Sequence, residues 1–295
     1  MFKNLITKRY QSNIANFQNS GIPGLFSKEG LNLAYFDRVK YHESQLSKAT
    51  EEKKFRNELD VESYVHTTAN DPIHKDIFKH ASSLYNLQFA YNKLGSNRSQ
   101  DLNIIKPTNE SLLSNPNINE NITNSPQGQL LTSIENSFGS LQEFKTLLLQ
   151  SASSINGDGF TWLIGKVNKS DKPIAEKPQI RELFILNTYN AGSPRNFNSG
   201  QITKLKTIIN KDQPKKEESI MIDPILSLEE IEQYSTSKSN YLPFLAIDAS
   251  PKAYLKDFGV FGKKLYLERL WNSIDWDSLN NDLNKYIKHS KSYKL

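Results

Sequence analysis

The stretch PFLAIDASPKAYLKDFGVFGKKLYLERLWNSIDW, residues 243–276, combines a short apolar run, one carboxylate and aromatic-rich helical patterns. The run Phe244–Ile247 has the length of a buried strand, with a proline before it and Ser250-Pro251 after it. Asp248 ends this strand, at a position where a carboxylate serves as an anchor, a helix cap or a ligand. The residue pattern alone favours the anchor and the cap over the ligand.

Two blocks of sequence carry a family resemblance. The order D-A-S-P-K-A-Y at residues 248–254 resembles the D-x-W-E-H-A-Y signature of iron/manganese superoxide dismutases, in which the Asp and the His bind the metal. An upstream block is similar to the family's F-G-S…F-K…A…G-x-G-W-x-W-L pattern at the same spacing, with Phe160 in place of the first Trp. Its matching residues are Phe138-Gly139-Ser140, Phe144-Lys145, Ala152, Gly157, Gly159-Phe160 and Trp162-Leu163. Both blocks occur in the family's order.

The local patterns and the resemblance imply an α+β fold. An N-terminal helical hairpin is expected, followed by an α/β part with a small three-stranded antiparallel sheet, as in the iron/manganese superoxide dismutases. Short apolar runs between turn signals predict the three strands. These strands are expected at Phe160–Val167, Glu182–Thr188 and Leu242–Ile247.

Three helices have clear signals. The first begins at Ser27, the second begins at Asp71-Pro72 and ends before Gly95, and the third follows a capping box at Ser140–Glu143. Apolar residues at three- and four-residue steps on the first two helices predict faces that pack in the core. These faces comprise Leu31, Ala34, Tyr35, Val39, His42 and Leu46 on the first helix, and Ile73, Ile77, Leu84, Leu87, Tyr91 and Leu94 on the second.

Changes of composition divide the chain. We expect a basic N-terminal extension at 1–27, a helical hairpin domain at 28–95 and a polar Asn/Ser-rich insertion at 96–135. An α/β C-terminal domain is expected at 136–295, with a charged insertion at about 204–241. Long polar insertions of this kind are more often partner-contacting or disordered loops than catalytic lids.

The resemblance assigns the family's four metal-ligand positions to Ala34, Leu87, Asp248 and Lys252. Redox chemistry on iron or manganese in this family needs three imidazoles and one carboxylate, and only the carboxylate is present. We therefore expect no metal, no cofactor and no catalytic residue. Lys252 is expected to pair with Asp248 and to replace the ion electrostatically.

Two further positions differ from the family pattern. His42 falls where the family keeps an active-site Tyr, and Gly192 falls where a Gln or His tunes the metal's water. The histidines offer no alternative site, because they form neither an i, i+4 pair nor a set with matching carboxylates. They are His42, His66, His74, His80 and His289.

Composition bounds the class of protein. The net charge of +5 is a mild basic excess, compatible with an RNA-rich neighbourhood, and the absence of cysteine excludes disulfides and thiolate sites. The mean hydropathy of -0.61 and the lack of a long apolar run predict no membrane span. Residues 1–27 contain Lys3, Lys8 and Arg9 and no acid, which predicts a mitochondrial import segment; an ordinary basic N-terminus is the alternative.

The resemblance is to the non-catalytic members of this family in the small subunit of fungal mitochondrial ribosomes. It implies a structural constituent of the mitochondrial small ribosomal subunit, located in the matrix, with small-subunit proteins as partners. A second dismutase-like subunit is expected as a heterodimer partner, because Pro251 and Leu255 replace the Glu and Tyr of the family's symmetric dimer bridge. The alternatives are an RNA-binding or translation-regulating mitochondrial protein outside the ribosome, and an active dismutase.

Two groups of lysines are candidates for contacts to rRNA phosphates. One group lies in the charged insertion and the other in the basic tail, where flexible segments can follow a phosphate backbone. Basic residues at the end of a last helix also suit its dipole, which is the simpler interpretation of the tail. The candidates are Lys204, Lys206, Lys211, Lys215 and Lys216, and Lys285, Lys288, Lys291 and Lys294.

Overall fold

The N-terminal part of the chain is helical. The computed structural model describes residues 13–55, 59–69, 71–95, 124–168, 179–194 and 241–287. The first element is a 3-10 turn at Asn13–Phe17. After it, α1 (Lys28–Leu31), a π-helical turn (Asn32–Phe36) and α2 (Asp37–Glu52) follow one another without a break. Then come α3 (Val61–Thr68), a second 3-10 turn (Pro72–His74) and α4 (Lys75–Tyr91).

Side-chain caps fix where these helices begin. Ser27 Oγ accepts a hydrogen bond from the Gly30 amide at 2.9 Å, and Asp60 caps α3 in the same way through the Ser63 amide at 2.8 Å. Each cap satisfies a backbone donor that the first turn of a helix leaves without an intrahelical partner. The start predicted at Ser27 is thus confirmed.

The C-terminal part combines helices with one sheet. Helices α5 (Gly128–Phe138) and α6 (Leu141–Ser154) lead into the strands β1 (Gly159–Asn168), β2 (Gln179–Tyr189) and β3 (Tyr241–Asp248). The remaining helices are α7 (Pro251–Phe258), α8 (Lys263–Asn272) and α9 (Trp276–Ile287). The capping box is confirmed in part, because Ser140 Oγ accepts from the Glu143 amide.

The sheet is antiparallel with β1 in the centre, in the order β2-β1-β3. The α+β fold with a helical N-terminal part and a three-stranded antiparallel sheet is therefore confirmed. The register pairs Phe160 with Asp248 at one end of the sheet, and β3 is buried from Pro243 onward. Helix α4 packs both on β3 and along α2. This packing places the end of β3 beneath the first long helices.

Three features of the sequence prediction are wrong. Residues Ile22, Leu25 and Phe26 are buried, so the end of the segment predicted as an extension belongs to the core. Helix α5 begins inside the predicted insertion at 96–135, because Leu130 and Ile134 on one helical face pack into the core. Ile73, predicted to be in the core, is exposed on the 3-10 turn that precedes α4.

Most of the RNA candidates lie outside the described residues. They are Lys204, Lys206, Lys211, Lys215, Lys216, Lys288, Lys291 and Lys294. Lys285 belongs to the last turn of α9. Among the helices in the described ranges, none combines the length and apolar character needed to cross a membrane.

Candidate functional site

The four predicted ligand positions do not form a common set of donors. Ala34 lies on the π-helical turn and Leu87 on α4, and both side chains are fully buried. Asp248 is buried at the end of β3. Lys252, in the first turn of α7, is turned outward, with 60% of its side chain exposed, and its ammonium pairs with Asp158. The predicted pairing of Lys252 with Asp248 is therefore wrong.

Arg38 is the cation that meets Asp248. Its Nη1 donates to Asp248 Oδ2 at 2.6 Å and to the Ala34 carbonyl at 2.9 Å. The side chains are 17% and 1% exposed, respectively, so the pair is largely shielded from water. Burial alone would lower the pKa of the guanidinium, but the adjacent carboxylate raises it above its usual value. Arg38 therefore carries a permanent positive charge beside the carboxylate.

The rest of the Asp248 carboxylate is also occupied. Oδ1 accepts from the Ser250 amide at 3.1 Å and from Ser250 Oγ at 2.5 Å. Tyr91 Oη lies 3.5 Å from Oδ2, and the Tyr266 hydroxyl donates to the Asp248 carbonyl at 2.9 Å. The carboxylate is thus an anchor that joins α2, β3 and the start of α7.

Aromatic rings surround this anchor. Tyr91 stacks on Tyr35 with ring centroids 4.8 Å apart, and Phe26 lies 6.0 Å from Tyr91 and 5.8 Å from Tyr266. Burial raises the pKa of Tyr91 and Tyr266 well above the ordinary value, and burial together with Glu43 raises the pKa of Tyr35 to about 12. These phenols stay neutral near pH 7, so none of them is a general base there.

The residues present do not fit iron or manganese. Alkyl side chains stand at two ligand positions, the ammonium at the third is paired elsewhere, and both oxygens of the fourth are hydrogen-bonded. Within the described ranges, no group of three or more His, Cys, Asp or Glu is placed to hold a metal ion. A transition-metal site in a protein needs several such donors around one point. No redox step can be derived for this site.

Two side chains of α4 hold the turn after β2 by donating hydrogen bonds to its backbone carbonyls. Asn86 Nδ2 donates to the Gly192 carbonyl at 2.7 Å, and Ser82 Oγ donates to the Ala191 carbonyl at 2.5 Å. A Cβ at Gly192 would lie 3.0 Å from the Tyr189 carbonyl oxygen. Gly192 therefore serves to dock the turn on α4 and offers no side chain to a metal-bound water.

Part of the chain matches a known protein family. Residues 126–195 match the family model described as iron/manganese superoxide dismutases, C-terminal domain. The fold is dismutase-like. The matched segment covers α5, α6, β1 and β2, and it contains the upstream block that suggested the resemblance.

The dismutase-like chain is similar to two small ribosomal subunit proteins over most of its length. It is 25% identical to the small ribosomal subunit protein mS42 of Schizosaccharomyces pombe over 281 residues, which cover 95% of this chain and 89% of that protein. It is 23% identical to mS43 of the same organism over 275 residues, covering 92% and 83%. A chloroplastic iron superoxide dismutase of Arabidopsis thaliana is 41% identical over 73 residues, covering 23% and 24%.

Sequence reasoning missed Arg38, the residue that decides the chemistry of the dismutase-like site. Arg38 lies one turn after Ala34 on a continuous helix, and its partner Asp248 is 210 residues away in the chain. The sequence did contain a signal for this pair. Arg38 follows Ala34 by four residues on one helix, and Asp248 was expected as a lone carboxylate in the same core.

A pair of imidazoles lies between α2 and α4. His42 Nδ1 and His80 Nδ1 are 3.1 Å apart, so one ring carries a proton on Nδ1 and donates it to the bare Nδ1 of the other ring. Burial and the neighbouring His80 lower the pKa of His42 to about 4, and burial with Lys79 lowers the pKa of His80. Both rings are therefore neutral in the folded protein near pH 7.

This pair predicts a loss of stability in acid. An unfolded histidine titrates near about 6.5, whereas His42 in the folded chain titrates at about 4. Between these values the unfolded state binds a proton that the folded state does not, so stability present above pH ~6.5 falls as the pH drops toward 4. In the His42→Phe variant, the thermal-unfolding midpoint Tm should therefore change less over this pH interval than it does in the wild-type protein. Identical pH profiles for the two proteins would contradict this assignment.

Proposed function

We propose that this chain is a structural constituent of the mitochondrial small ribosomal subunit and has no dismutase activity. The observation that carries the proposal is the extent of the similarity. The small ribosomal subunit proteins mS42 and mS43 align with 95% and 92% of the chain, whereas the iron superoxide dismutases of Arabidopsis thaliana and Photobacterium leiognathi align with 23% and 54%. The chain is thus similar over nearly its whole length to proteins of a ribosomal subunit.

The site supports a role without catalysis. Dismutation on iron or manganese needs a bound ion that changes its oxidation state, and the donors at Ala34, Leu87 and Lys252 are missing or turned away. Purified protein is therefore expected to contain no stoichiometric iron or manganese and to show no dismutase activity. Elemental analysis and a superoxide assay on the same sample test this expectation. About one ion per chain, together with activity, would restore the enzymatic alternative.

A mitochondrial location is supported by the acid-poor segment at residues 1–27 and by the mS42 and mS43 relatives. The remaining alternative is a mitochondrial regulator that binds RNA outside the ribosome. Affinity purification of the tagged chain from isolated mitochondria separates the two. A ribosomal constituent should recover small-subunit rRNA and proteins in near-equal amounts, whereas a regulator would recover messenger RNA without them.

The partner is proposed to be a second dismutase-like subunit. In the first turn of α7, Pro251 is half-buried and Lys252 is exposed, and Leu255 one turn later is a large exposed apolar residue. Exposed apolar area at this face would be buried by a partner, and the absent self-complementary bridge disfavours a second copy. Coexpression with another dismutase-like subunit should give a one-to-one heterodimer that Leu255→Asp weakens and Ile73→Asp, on the turn before α4, does not. A stable homodimer that ignores coexpression would contradict this pairing.

The lysines are proposed to bind rRNA phosphates. A lysine that neutralises a phosphate releases counterions, so removing one such lysine makes the slope of log affinity against log salt shallower by about one. Changing Lys285, Lys288, Lys291 and Lys294 to Gln should reduce retention on small subunits at raised salt, while the Lys→Arg set, which keeps the charges, should not. The insertion lysines 204, 206, 211, 215 and 216 are tested by a parallel set. Unchanged salt resistance in both Gln sets would mean that protein neighbours alone hold the chain.

A further inference from the structure

We propose that Arg38 is a fixed internal cation that takes the electrostatic place of a metal ion in this dismutase-like fold. We also propose that Arg38 excludes divalent metal even when imidazoles are restored at the former ligand positions. The inference concerns how the fold keeps its core without an ion, and it does not depend on the ribosomal assignment.

The Asp248 carboxylate is buried and needs a compensating charge. A carboxylate buried to this extent is costly unless a cation neutralises it and its lone pairs are filled. Ser250 fills Oδ1 through two donors, and Arg38 Nη1 meets Oδ2 at 2.6 Å. A divalent ion on Oδ2 would have to lie within a few ångströms of the guanidinium, where two cations repel strongly.

The small side chain of Ala34 leaves the space through which Arg38 reaches the carboxylate. Residues one turn apart on a helix lie on the same face, so Ala34 and Arg38 share the approach to Asp248. Alanine leaves the path of the guanidinium open, and its carbonyl accepts from the same Nη1 at 2.9 Å. The loss of a ligand at position 34 and the gain of a cation at position 38 are thus two parts of one arrangement.

The positive charge of Arg38 is permanent. Arginine does not lose its proton in proteins, so the charge of Arg38 does not depend on an ion or on the pH. The guanidinium is held between the Asp248 carboxylate and the Ala34 carbonyl, and the Arg38 side chain is only 17% exposed, so the charge is fixed in place. Because the cation is covalently part of the chain, folding needs no ion to be loaded.

Two substitutions of Arg38 test whether its charge is what matters. Arg38→Gln keeps a long polar side chain without charge, and Arg38→Lys keeps the charge with a different shape. In the full-length protein, Arg38→Gln should lower Tm by about 10 °C, because it leaves a buried carboxylate unpaired. Arg38→Lys should lower Tm by less than half as much. A Gln variant as stable as the Lys variant would overturn the proposal, because packing and hydrogen bonding would then explain Arg38.

Metal uptake tests the exclusion directly. The triple variant Ala34→His, Leu87→His and Lys252→His keeps Arg38, and a matched quadruple variant adds Arg38→Ala. After dialysis against the same manganese solution, elemental analysis should find at least about tenfold more manganese per chain in the quadruple variant, a difference of ~1.4 kcal/mol in binding. Equal manganese content in the two chains, whether high or zero, would overturn the exclusion.

Discussion

Replacing Asp248 with Asn is expected to lower the free energy of unfolding by about 3–5 kcal/mol, because it leaves the Arg38 guanidinium without its counter-charge in a shielded site. Asn has nearly the same shape as Asp, so the loss reports charge and not volume. The bonds from Ser250 to Oδ1 can be kept by the amide oxygen. Urea denaturation of the purified full-length protein measures the effect.

Asp158→Asn is the matched control for this experiment. Its carboxylate also pairs with a cation, but the side chains of Lys252 and Asp158 are 60% and 36% exposed. An exposed ion pair contributes about 0–1 kcal/mol, so this variant should unfold almost like wild type. If the two variants lost similar amounts of unfolding free energy, the Arg38–Asp248 pair would stabilise the core no more than an exposed ion pair does.

Replacing Trp271 with Ala is expected to cost about 3–5 kcal/mol, since it removes a large side chain from a fully packed site. The ring is completely buried on α8, 4.8 Å from the ring of Trp276 and 5.9 Å from that of Phe144. Its Nε1 donates to the Asn124 carbonyl at 2.9 Å, and Asn124 Nδ2 in turn donates to the Trp271 carbonyl. The substitution therefore also removes the Nε1 bond to Asn124, while the bonds from Asn124 Nδ2 to the backbone carbonyls of α8 and the residues after it remain.

Phe261→Ala provides the comparison for Trp271→Ala. Phe261 is an aromatic residue on the turn between α7 and α8, and 65% of its surface is exposed. Substitutions at such exposed positions usually change stability by less than about 0.5 kcal/mol. Chemical denaturation should separate the two variants clearly, and equal losses would mean that the α8 core is not packed as described.

Local signals were sufficient for the elements around the site. The apolar run that ends at Asp248 predicted β3, and the cap at Ser27 and the box at Ser140–Glu143 predicted the starts of two helices, because each signal acts within a few residues. The degenerate ligand positions could also be inferred from the resemblance. Ala34, Leu87 and Asp248 are all buried in the core, and the assignment of these positions to metal ligands remains a prediction.

Features that depend on tertiary packing could not be predicted. Arg38 meets a partner 210 residues away, and no local pattern shows which of several cations lies nearest to Asp248. Lys252 faces outward because the core positions of α7 are taken by Ala253, Tyr254 and Phe258. Helix α3 has only eight residues, too few to be stable alone, and it is held by packing on α4.

An arginine and a carboxylate join the helical part to the sheet, and the resemblance assigns the position of the carboxylate to a metal ligand. Under the proposed structural role, this junction needs no ion. Fold and function are separable in this way because function depends on site residues, which change more freely than the packing around them.

Sedimentation of the tagged chain with mitochondrial small subunits after a high-salt wash tests the central claim most directly. A structural constituent should remain with the subunit at about one copy per particle, because apolar protein contacts hold at a salt concentration that weakens the proposed phosphate contacts. We expect the chain to co-sediment with the small subunit in the washed gradient. Recovery of the chain at the top of the gradient, free of rRNA, would contradict it.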